Sequence, residues 1–141
     1  MKLLTSAILA VSLLTTSTAF AQGDKDVAEA RAATEHWMKL MDTEEYSAAW
    51  NNGSGGMRKE ISKFTWSMIA NAMHLPLGDF KSRTFKAAHI KQGTAGKPDS
   101  VSFDYVAHYT KSPNVTETVT VIHEADGVWR VSGYTINNDN K

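Results

Sequence analysis

The stretch ETVTVIHEADGVWRVSGYTI, residues 117–136, has the pattern of two β-strands joined by a tight turn. β-Branched and aromatic residues alternate with polar ones on both sides of Asp126-Gly127, a dipeptide strongly associated with two-residue hairpin loops. The hairpin therefore predicts one strand over residues 115–124 and another over residues 128–136.

Upstream of this hairpin, a hydrophobic period of two predicts two further strands, over residues 83–90 and 101–110. The segment GTAGKPDS, residues 93–100, is a glycine- and proline-marked turn between them. The segment KSPN, residues 111–114, is the predicted tight connection to the hairpin. Together these patterns indicate a four-stranded antiparallel sheet.

Before the first strand, the hydrophobic period is that of a helix. Residues 26–42 carry apolar side chains at three- and four-residue steps, which predicts an amphipathic helix. Thr43 is the expected N-cap of a short second helix. The buried side of that helix is predicted to hold Tyr46, Ala49 and Trp50.

The segment NNGSGG, residues 51–56, is predicted to be a mobile loop because it holds three glycines in six residues. Residues 57–61 form a predicted helical piece, and Ser62 is the expected cap of another helix, which Pro76 and Gly78 end. Its apolar stripe consists of Trp66, Ile69, Ala70 and Met73. Because the helices come first and the strands second, the predicted fold class is α+β, in one domain.

The first 21 residues have the pattern of a cleaved signal peptide. Met1-Lys2 gives a positive start, residues 3–14 are almost wholly apolar, and Ala19-Phe20-Ala21 supplies the small-x-small cleavage pattern. The apolar run is too short to span a bilayer, which disfavours an uncleaved anchor and predicts no stable membrane insertion after cleavage. The expected product is one α+β domain, residues 22–141, that is periplasmic or secreted.

The net charge and the cysteine content narrow the range of expected partners and activities. Loss of Lys2 with the signal leaves 14 Lys and Arg residues against 15 Asp and Glu, with no basic cluster. Nucleic acid and anionic membranes are therefore not expected partners. The sequence contains no cysteine, which excludes disulfides and thiol enzymes.

Turn geometry predicts which side chains share a face of the sheet. With Asp126-Gly127 as a two-residue loop, His123 lies opposite Arg130, and the KSPN turn puts His108 opposite Glu117. The face assigned to the helices then carries Val101, Phe103, Tyr105, Ala107, Tyr109, Thr118, Thr120, Ile122, Trp129 and Val131. The outward face carries Ser102, Asp104, Val106, His108, Glu117, Val119, Val121, His123, Arg130, Ser132 and Tyr134. A single β-bulge would exchange the two sets beyond it.

Aromatic residues on the helices and the inner sheet face indicate either a plain core, the commoner outcome, or a pocket for a small apolar ligand. The candidate ligand-binding residues are Trp37, Trp50, Trp66, Tyr105 and Tyr109, with Tyr46 beside them. The threonines at 116, 118 and 120 are the expected partners for buried tyrosine hydroxyls.

No catalytic residue, metal ligand or cofactor is predicted. The chain has neither the histidine spacing of a zinc site nor a GxSxG motif, and the predicted inner face holds no acid before Glu124. The favoured function is a non-enzymatic exported domain that binds a small apolar ligand or a protein partner. One alternative is an isomerase- or hydrolase-like enzyme. A carboxylate buried in the cone within hydrogen-bond reach of Tyr105 or Tyr109 would contradict the non-enzymatic prediction and favour this alternative.

A second alternative is a self-associating module. Its predicted homodimer contact is an apolar stripe on the outer sheet face, made of Val106, Val119, Val121 and Tyr134.

The segments HLPLGDFKSR, residues 74–83, and 117–136, with the helices around Trp37, Trp50 and Trp66, resemble the family described as domain of unknown function 4019. The resemblance covers nearly the whole mature chain, and it implies an exported bacterial protein and thus a periplasmic address. Members of the family often carry Arg where His74 stands here, so no role of that Arg transfers. The family has no assigned activity and implies no catalytic residue.

The order of helices followed by a sheet is also similar to the nuclear transport factor 2-like, or cystatin-like, cone. That similarity implies that the helices pack in a curved, cone-like sheet. It is a likeness of fold alone and implies no particular function.

Overall fold

The computed structural model describes residues 17–94 and 99–139, in which helices precede strands, and it confirms the α+β class. The helices are α1 Ser17–Asp42, α2 Tyr46–Asn51, α3 Gly55–Glu60 and α4 Lys63–His74, followed by a 3-10 turn, Leu75–Leu77. The strands are β1 Phe80–Lys91, β2 Ser100–Tyr109, β3 Ser112–His123 and β4 Trp129–Asn138. They form one antiparallel sheet in the order β1-β2-β3-β4, curved and not closed into a barrel.

Two predicted features lie partly outside the described residues. These are the signal peptide, up to residue 16, and the turn 93–100, at residues 95–98. Helix α1 begins at Ser17, earlier than the predicted start at residue 26. Among the helices described, none combines the length and the apolar character needed to cross a membrane.

The end of α1 differs from the prediction that Thr43 caps the next helix. The Thr43 hydroxyl instead donates back to the Lys39 carbonyl, 3.0 Å away, and the N-cap of α2 is Glu45. Glu44 adopts a left-handed conformation with φ of 61°, and the N–H groups of Glu44 and Glu45 bond to carbonyls of the last turn of α1. This is a Schellman ending, and Thr43 takes part in closing α1 rather than in starting α2.

The segment NNGSGG, predicted to be a mobile loop, is ordered against the sheet. Ser54 caps α3 by accepting the N–H of Met57, 3.1 Å away, and α3 already begins at Gly55. Gly53 pairs with Val131 of β4, and the Ser54 N–H donates to the Val131 carbonyl at 2.8 Å. Gly53 therefore serves close approach to the sheet, because a Cβ there would lie 2.8 Å from the Met57 sulfur.

Helix α4 begins as predicted, because Ser62 accepts the N–H of Thr65 at 3.1 Å. Trp66 and Ala70 of the predicted stripe are buried, whereas Ile69 is 43% exposed. The buried face of α4 is therefore narrower than the sequence pattern indicated.

The register between β2 and β3 differs from the prediction by an odd number of residues, and this turns β3 over. The connecting turn is Thr110-Lys111 rather than KSPN, so Tyr105 lies opposite Glu117. Because side chains alternate along a strand, an odd shift exchanges the two faces. The residues of β3 that point inward are Val115, Glu117, Val119 and Val121, and those that point outward include Thr116, Thr118 and Thr120.

The β3–β4 hairpin has a three-residue loop, 125–127, in which Gly127 has φ of 81°, instead of the predicted two-residue loop. His123 therefore lies opposite Trp129 and not opposite Arg130. The two register errors cancel in β4, and Trp129 and Val131 are buried as predicted. An irregularity at Gly133 then turns Tyr134 inward, where the sequence placed it outside.

The predicted apolar stripe on the outer face is not formed, because Val119 and Val121 are fully buried and Tyr134 packs against the core. The outward threonines bond to outer-face neighbours: the Thr118 hydroxyl donates to Asp104 at 2.8 Å. They are therefore not partners for buried tyrosines. The homodimer stays a prediction, without the stripe that was expected to carry it.

Candidate functional site

The three tryptophans predicted to line a pocket lie among the helices and bond to backbone. The indole N–H of Trp37 donates to the Ala49 carbonyl at 2.9 Å, and that of Trp66 donates to the Tyr46 carbonyl at 3.1 Å. The half-buried Trp50 donates to the Ile61 carbonyl at 2.8 Å. Their polar atoms thus join α1, α2 and the α3–α4 connection, as expected of core tryptophans.

The two predicted tyrosines are both buried on the inner face of β2, in different surroundings. Burial raises the pKa of Tyr105 to about 12, with the charge of Glu35 adding to the effect and that of Arg31 opposing it. Tyr109 lies near the C-terminal end of α1. Its hydroxyl donates to the Glu117 carboxylate at 2.6 Å. Of the two tyrosines, only Tyr109 makes a hydrogen bond to the ionisable groups described next.

A chain of buried charges joins α1 to the sheet. The Arg83 guanidinium of β1 donates two bonds of 2.8 Å to the Asp42 carboxylate and further bonds of 2.9–3.2 Å to Glu117. Glu117 is fully buried, and the side chains of Arg83 and Asp42 are only 12% and 11% exposed. Bidentate geometry and the added Tyr109 bond satisfy the oxygens, as burial of such charges requires.

Burial dominates the protonation of this cluster. It raises the pKa of Glu117, against the charge of Arg83 and the Tyr109 hydrogen bond, which lower it. It also raises the pKa of Tyr109, with the Glu117 charge adding to the effect, so this hydroxyl stays protonated and donates. Two carboxylates share one guanidinium, so the trio of Asp42, Arg83 and Glu117 carries one excess negative charge when both carboxyl groups are ionised.

His74, the last residue of α4, lies beside the cluster. It is only 6% exposed, and its Nε2 lies 3.1 Å from the Tyr134 hydroxyl. Its ring stacks on Tyr134 and meets Tyr109 edge-on, with centroids 6.0 and 5.9 Å apart. Burial lowers the pKa of His74, which keeps the ring neutral at neutral pH.

Asp42, His74 and Tyr109 line a cavity of about 290 Å³, here called the Tyr46 cavity. It lies where the end of α1, the end of α4 and the start of β1 meet. The lining residues are Met41, Asp42, Thr43, Glu44, Tyr46, His74, Gly78, Asp79, Phe80 and Tyr109. Gly78 is required in this wall, because it has φ of 80° and a Cβ there would collide with the Thr110 hydroxyl.

Tyr46 is 7% exposed, and its hydroxyl has no hydrogen-bond partner among the described residues. Burial raises its pKa, with the Glu44 charge adding to the effect. A buried hydroxyl without a partner is uncommon and requires an explanation, such as a water molecule or a ligand. The Trp129 indole nitrogen and the Tyr105 hydroxyl also lack a hydrogen bond of normal geometry in the described part of the chain, although the Arg31 side chain lies near the Tyr105 hydroxyl and interacts with it.

Trp129 lines a second depression, of about 280 Å³, between the start of α1 and the ends of β1 and β2. Its apolar wall is made of Val27, Ile90, Val101 and Trp129, and Gly23, Asp24 and Asp26 also line it. This depression lacks the buried ionisable cluster that borders the Tyr46 cavity.

Sequence reasoning missed the acidic centre of this site. Glu117 was placed outside and paired with His108, because the β2–β3 register was taken from the wrong turn. Val115, Val119 and Val121 share one face of β3 and threonines share the other, so the apolar residues themselves indicated the correct face. Asp42 and Arg83 lie 41 positions apart, and no local pattern marked their pairing.

The helices before a curved, open, four-stranded antiparallel sheet define a nuclear transport factor 2-like cone. A protein from Catenulispora acidiphila has the same fold, with a TM-score of 0.58 at 13% identity over 86% of this chain and 96% of that one. Aln2 from a Streptomyces species gives 0.56 at 14% identity, over 82% and 92%. ActVI-ORFA from Streptomyces coelicolor gives 0.53 at 11% identity, over 82% and 98%.

The chain belongs to the family described as "Protein of unknown function (DUF4019)", whose model matches residues 33–134. No curated protein matches the chain. The match covers Asp42, Tyr46, His74, Arg83, Tyr109 and Glu117, so the whole cluster lies inside the family region.

Proposed function

We propose that this domain binds a small molecule in the Tyr46 cavity and acts without chemically changing it. The observation that carries the proposal is the Tyr46 side chain, which lines the cavity and whose buried hydroxyl has no partner among the described residues. A ligand that accepts or donates a hydrogen bond there would satisfy it. The walls combine the rings of Tyr46, Phe80 and Tyr109 with three carboxylates and a histidine, and the volume is at the low end of the range of small-molecule sites.

The proposal moves the binding site away from the tryptophans predicted from the sequence. Trp37 and Trp66 are buried and their indole nitrogens are bonded to backbone, so a ligand between them would have to displace core packing. Of the five predicted lining residues, Tyr109 alone lines the Tyr46 cavity. A protein partner remains the other proposal for the domain, and the exposed apolar side chains Phe64, Met68 and Ile69 of α4 are compatible with it.

An isomerase- or hydrolase-like enzyme is the second candidate, and one observation favours it. A carboxylate does lie within hydrogen-bond reach of a core tyrosine, because the Tyr109 hydroxyl contacts Glu117 at 2.6 Å. A general base must, however, reach the proton that it removes. Glu117 is fully buried and bonded to Arg83 and Tyr109, which favours a structural role for it over catalysis.

We also propose that the domain works outside the cytoplasm. The support is the pattern of the first 21 residues: a positive start, an apolar run over residues 3–14 and the Ala19-Phe20-Ala21 cleavage pattern. Mass determination of the N-terminus of the protein in its host tests this, and a chain that keeps residues 1–21 in the cytoplasm contradicts it.

Native mass spectrometry of protein purified from its own host tests binding most simply. We expect a small adduct on the wild type that is reduced in Tyr46→Phe and retained in Tyr105→Phe. Both variants lose one buried hydroxyl without a bonded partner, but only Tyr46 lines the cavity. Loss of one hydrogen bond corresponds to a roughly 2- to 12-fold weaker affinity. Equal adducts on all three proteins would contradict the assignment of the site.

The same experiment separates binding from catalysis. The molecule recovered from the adduct is incubated with fresh protein and its mass and structure are followed. Binding without turnover predicts an unchanged molecule. A product formed by the wild type and not by Glu117→Gln would instead establish the second candidate.

A further inference from the structure

We infer that the occupant of the Tyr46 cavity is a small organic cation, an amine or a quaternary ammonium. This inference rests on the proposed function and adds the chemical class of the ligand. It is carried by the charges, the aromatic walls and the helix end that meet at this cavity.

The charges at the cavity are predominantly negative. Glu44 and Asp79 line it, are exposed to solvent and have no ion pair among the residues described. Asp42 lines it too, but shares the Arg83 guanidinium with Glu117. Lys111 lines an adjoining depression with Glu44 and Asp79 and offsets one of these charges. A net negative potential therefore remains, and it favours a cationic ligand.

His74 adds no positive charge to this balance at neutral pH. Its side chain is buried between the cavity and Tyr134, and burial lowers its pKa. The nearest guanidinium, that of Arg83, is held by two carboxylates rather than one. Neither group is therefore available to pair with an anionic ligand.

The walls also suit a cation with an organic body. The rings of Tyr46, Phe80 and Tyr109 line the cavity, and those of Phe80 and Tyr109 meet edge-on with centroids 5.7 Å apart. Arg83 already places its guanidinium carbon 4.5 Å from the centre of the Phe80 ring. Aromatic faces attract ammonium groups by the same electrostatic effect.

The C-terminal end of helix α1 also favours a cationic ligand. Helix α1 ends at Asp42, and its last residues, Met41 and Asp42, line the cavity. The C-terminal end of a helix carries a partial negative charge that favours cations within its last turn. The volume of about 290 Å³ admits a ligand of about ten non-hydrogen atoms, at roughly 30 Å³ for each water-sized group.

A charge series of constant shape tests the inference. Isothermal titration calorimetry at low ionic strength is run with choline, with its neutral carbon isostere neohexyl alcohol, and with the tert-butylacetate anion. We expect choline to bind about tenfold more tightly than neohexyl alcohol, and the anion to bind most weakly. Added salt should reduce the preference, because the rim charges are exposed.

Charge-neutralising variants locate the effect. Glu44→Gln and Asp79→Asn are each expected to weaken choline binding about threefold and to leave neohexyl alcohol unchanged. Glu60→Gln is the matched control, since it removes an exposed acid that does not line the cavity. If choline binds and neither rim variant weakens it, the cation site lies elsewhere and the inference is overturned.

The outcomes also separate this inference from the proposed function. Equal binding of choline and neohexyl alcohol, weakened in both cases by Tyr46→Phe, overturns the cation and leaves the binding site in place. Tighter binding of tert-butylacetate has the same consequence. Failure of choline to bind overturns the cation, and the adduct comparison of the wild type, Tyr46→Phe and Tyr105→Phe then decides on its own whether the Tyr46 cavity binds another ligand.

Discussion

The two ends of the core are built from similar aromatic residues, but the polar atoms of those residues are hydrogen-bonded differently. At the helical end, Trp37 and Trp66 are buried, and each indole nitrogen bonds to a backbone carbonyl. At the cavity end, the Tyr46 hydroxyl has no bonded partner in the described residues, and Tyr109 bonds to a buried carboxylate. At the helical end the indole nitrogens are bonded to backbone, although Trp37 also lines a depression of about 300 Å³ with Trp129, whereas the other end keeps buried ionisable groups beside its cavity.

The difference shows that aromatic content alone does not locate a binding site. Both ends satisfy the sequence criterion of aromatic residues on an inner face. Hydrogen bonding and buried charge distinguish the two ends. An indole N–H that already donates to a backbone carbonyl cannot also donate to a ligand. Substitutions at each end should therefore have different effects on stability and on binding.

Glu117→Ala should lower the free energy of unfolding by about 3–5 kcal/mol, because it leaves Arg83 and Asp42 buried with a broken network. Chemical denaturation measures the change. Glu117→Gln keeps the shape and should cost less, about 1–3 kcal/mol. An alanine variant as stable as the wild type would mean that the cluster contributes little to the fold.

Trp37→Phe should cost about 2 kcal/mol at the helical end, since it removes the bond to the Ala49 carbonyl and some packing volume. Binding at the Tyr46 cavity should be unchanged under conditions where the variant is folded. Calorimetry of the folded variant checks this. A loss of affinity without a loss of stability would move the site to the tryptophans.

The acid sensitivity of the fold should depend on His74. Its pKa is lowered in the folded state, so below about pH 6.5 the unfolded chain binds a proton that the folded chain does not. Stability is therefore lost as the pH falls, by at most about 1.4 kcal/mol per pH unit from this group. His74→Gln should flatten a denaturation series below pH 6.5, whereas His36→Gln, which changes an exposed histidine, should not.

Glu44→Gly should move stability and binding in opposite directions. Glu44 adopts φ of 61°, which glycine tolerates at no steric cost, so the variant should gain about 1 kcal/mol. It should also bind choline more weakly, because a rim charge is lost. Thermal denaturation and calorimetry of one sample give both values, and a variant that loses both would indicate a purely structural role for Glu44.

The fold class and the approximate positions of the strands were predictable, because alternation and turn residues are local signals. The faces of β3 were not, because the register depends on a turn that was placed at KSPN instead of at Thr110-Lys111. The alternation of Val119 and Val121 with threonines indicated the buried face of β3 more reliably than the turn did. The inward turn of Tyr134 follows from an irregularity that no turn pattern reveals.

The candidate site was predictable only in Tyr109 and Tyr46. The cluster forms from residues on α1, α4, β1, β2 and β3, and each pairing depends on the tertiary fold rather than on spacing along the chain. Glu117 in particular becomes a surface residue in any register that places the threonines inside.

Amide NMR during a titration with choline and neohexyl alcohol tests most directly which part of the core receives a ligand. We expect the chemical-shift changes to concentrate at Thr43, Glu44, Gly78 and Asp79, around the Tyr46 cavity. Changes centred on Val27 and Trp129, at the second depression, would contradict a site at the Tyr46 cavity. Changes centred on Trp37 and Trp66, among the helices, would contradict it equally.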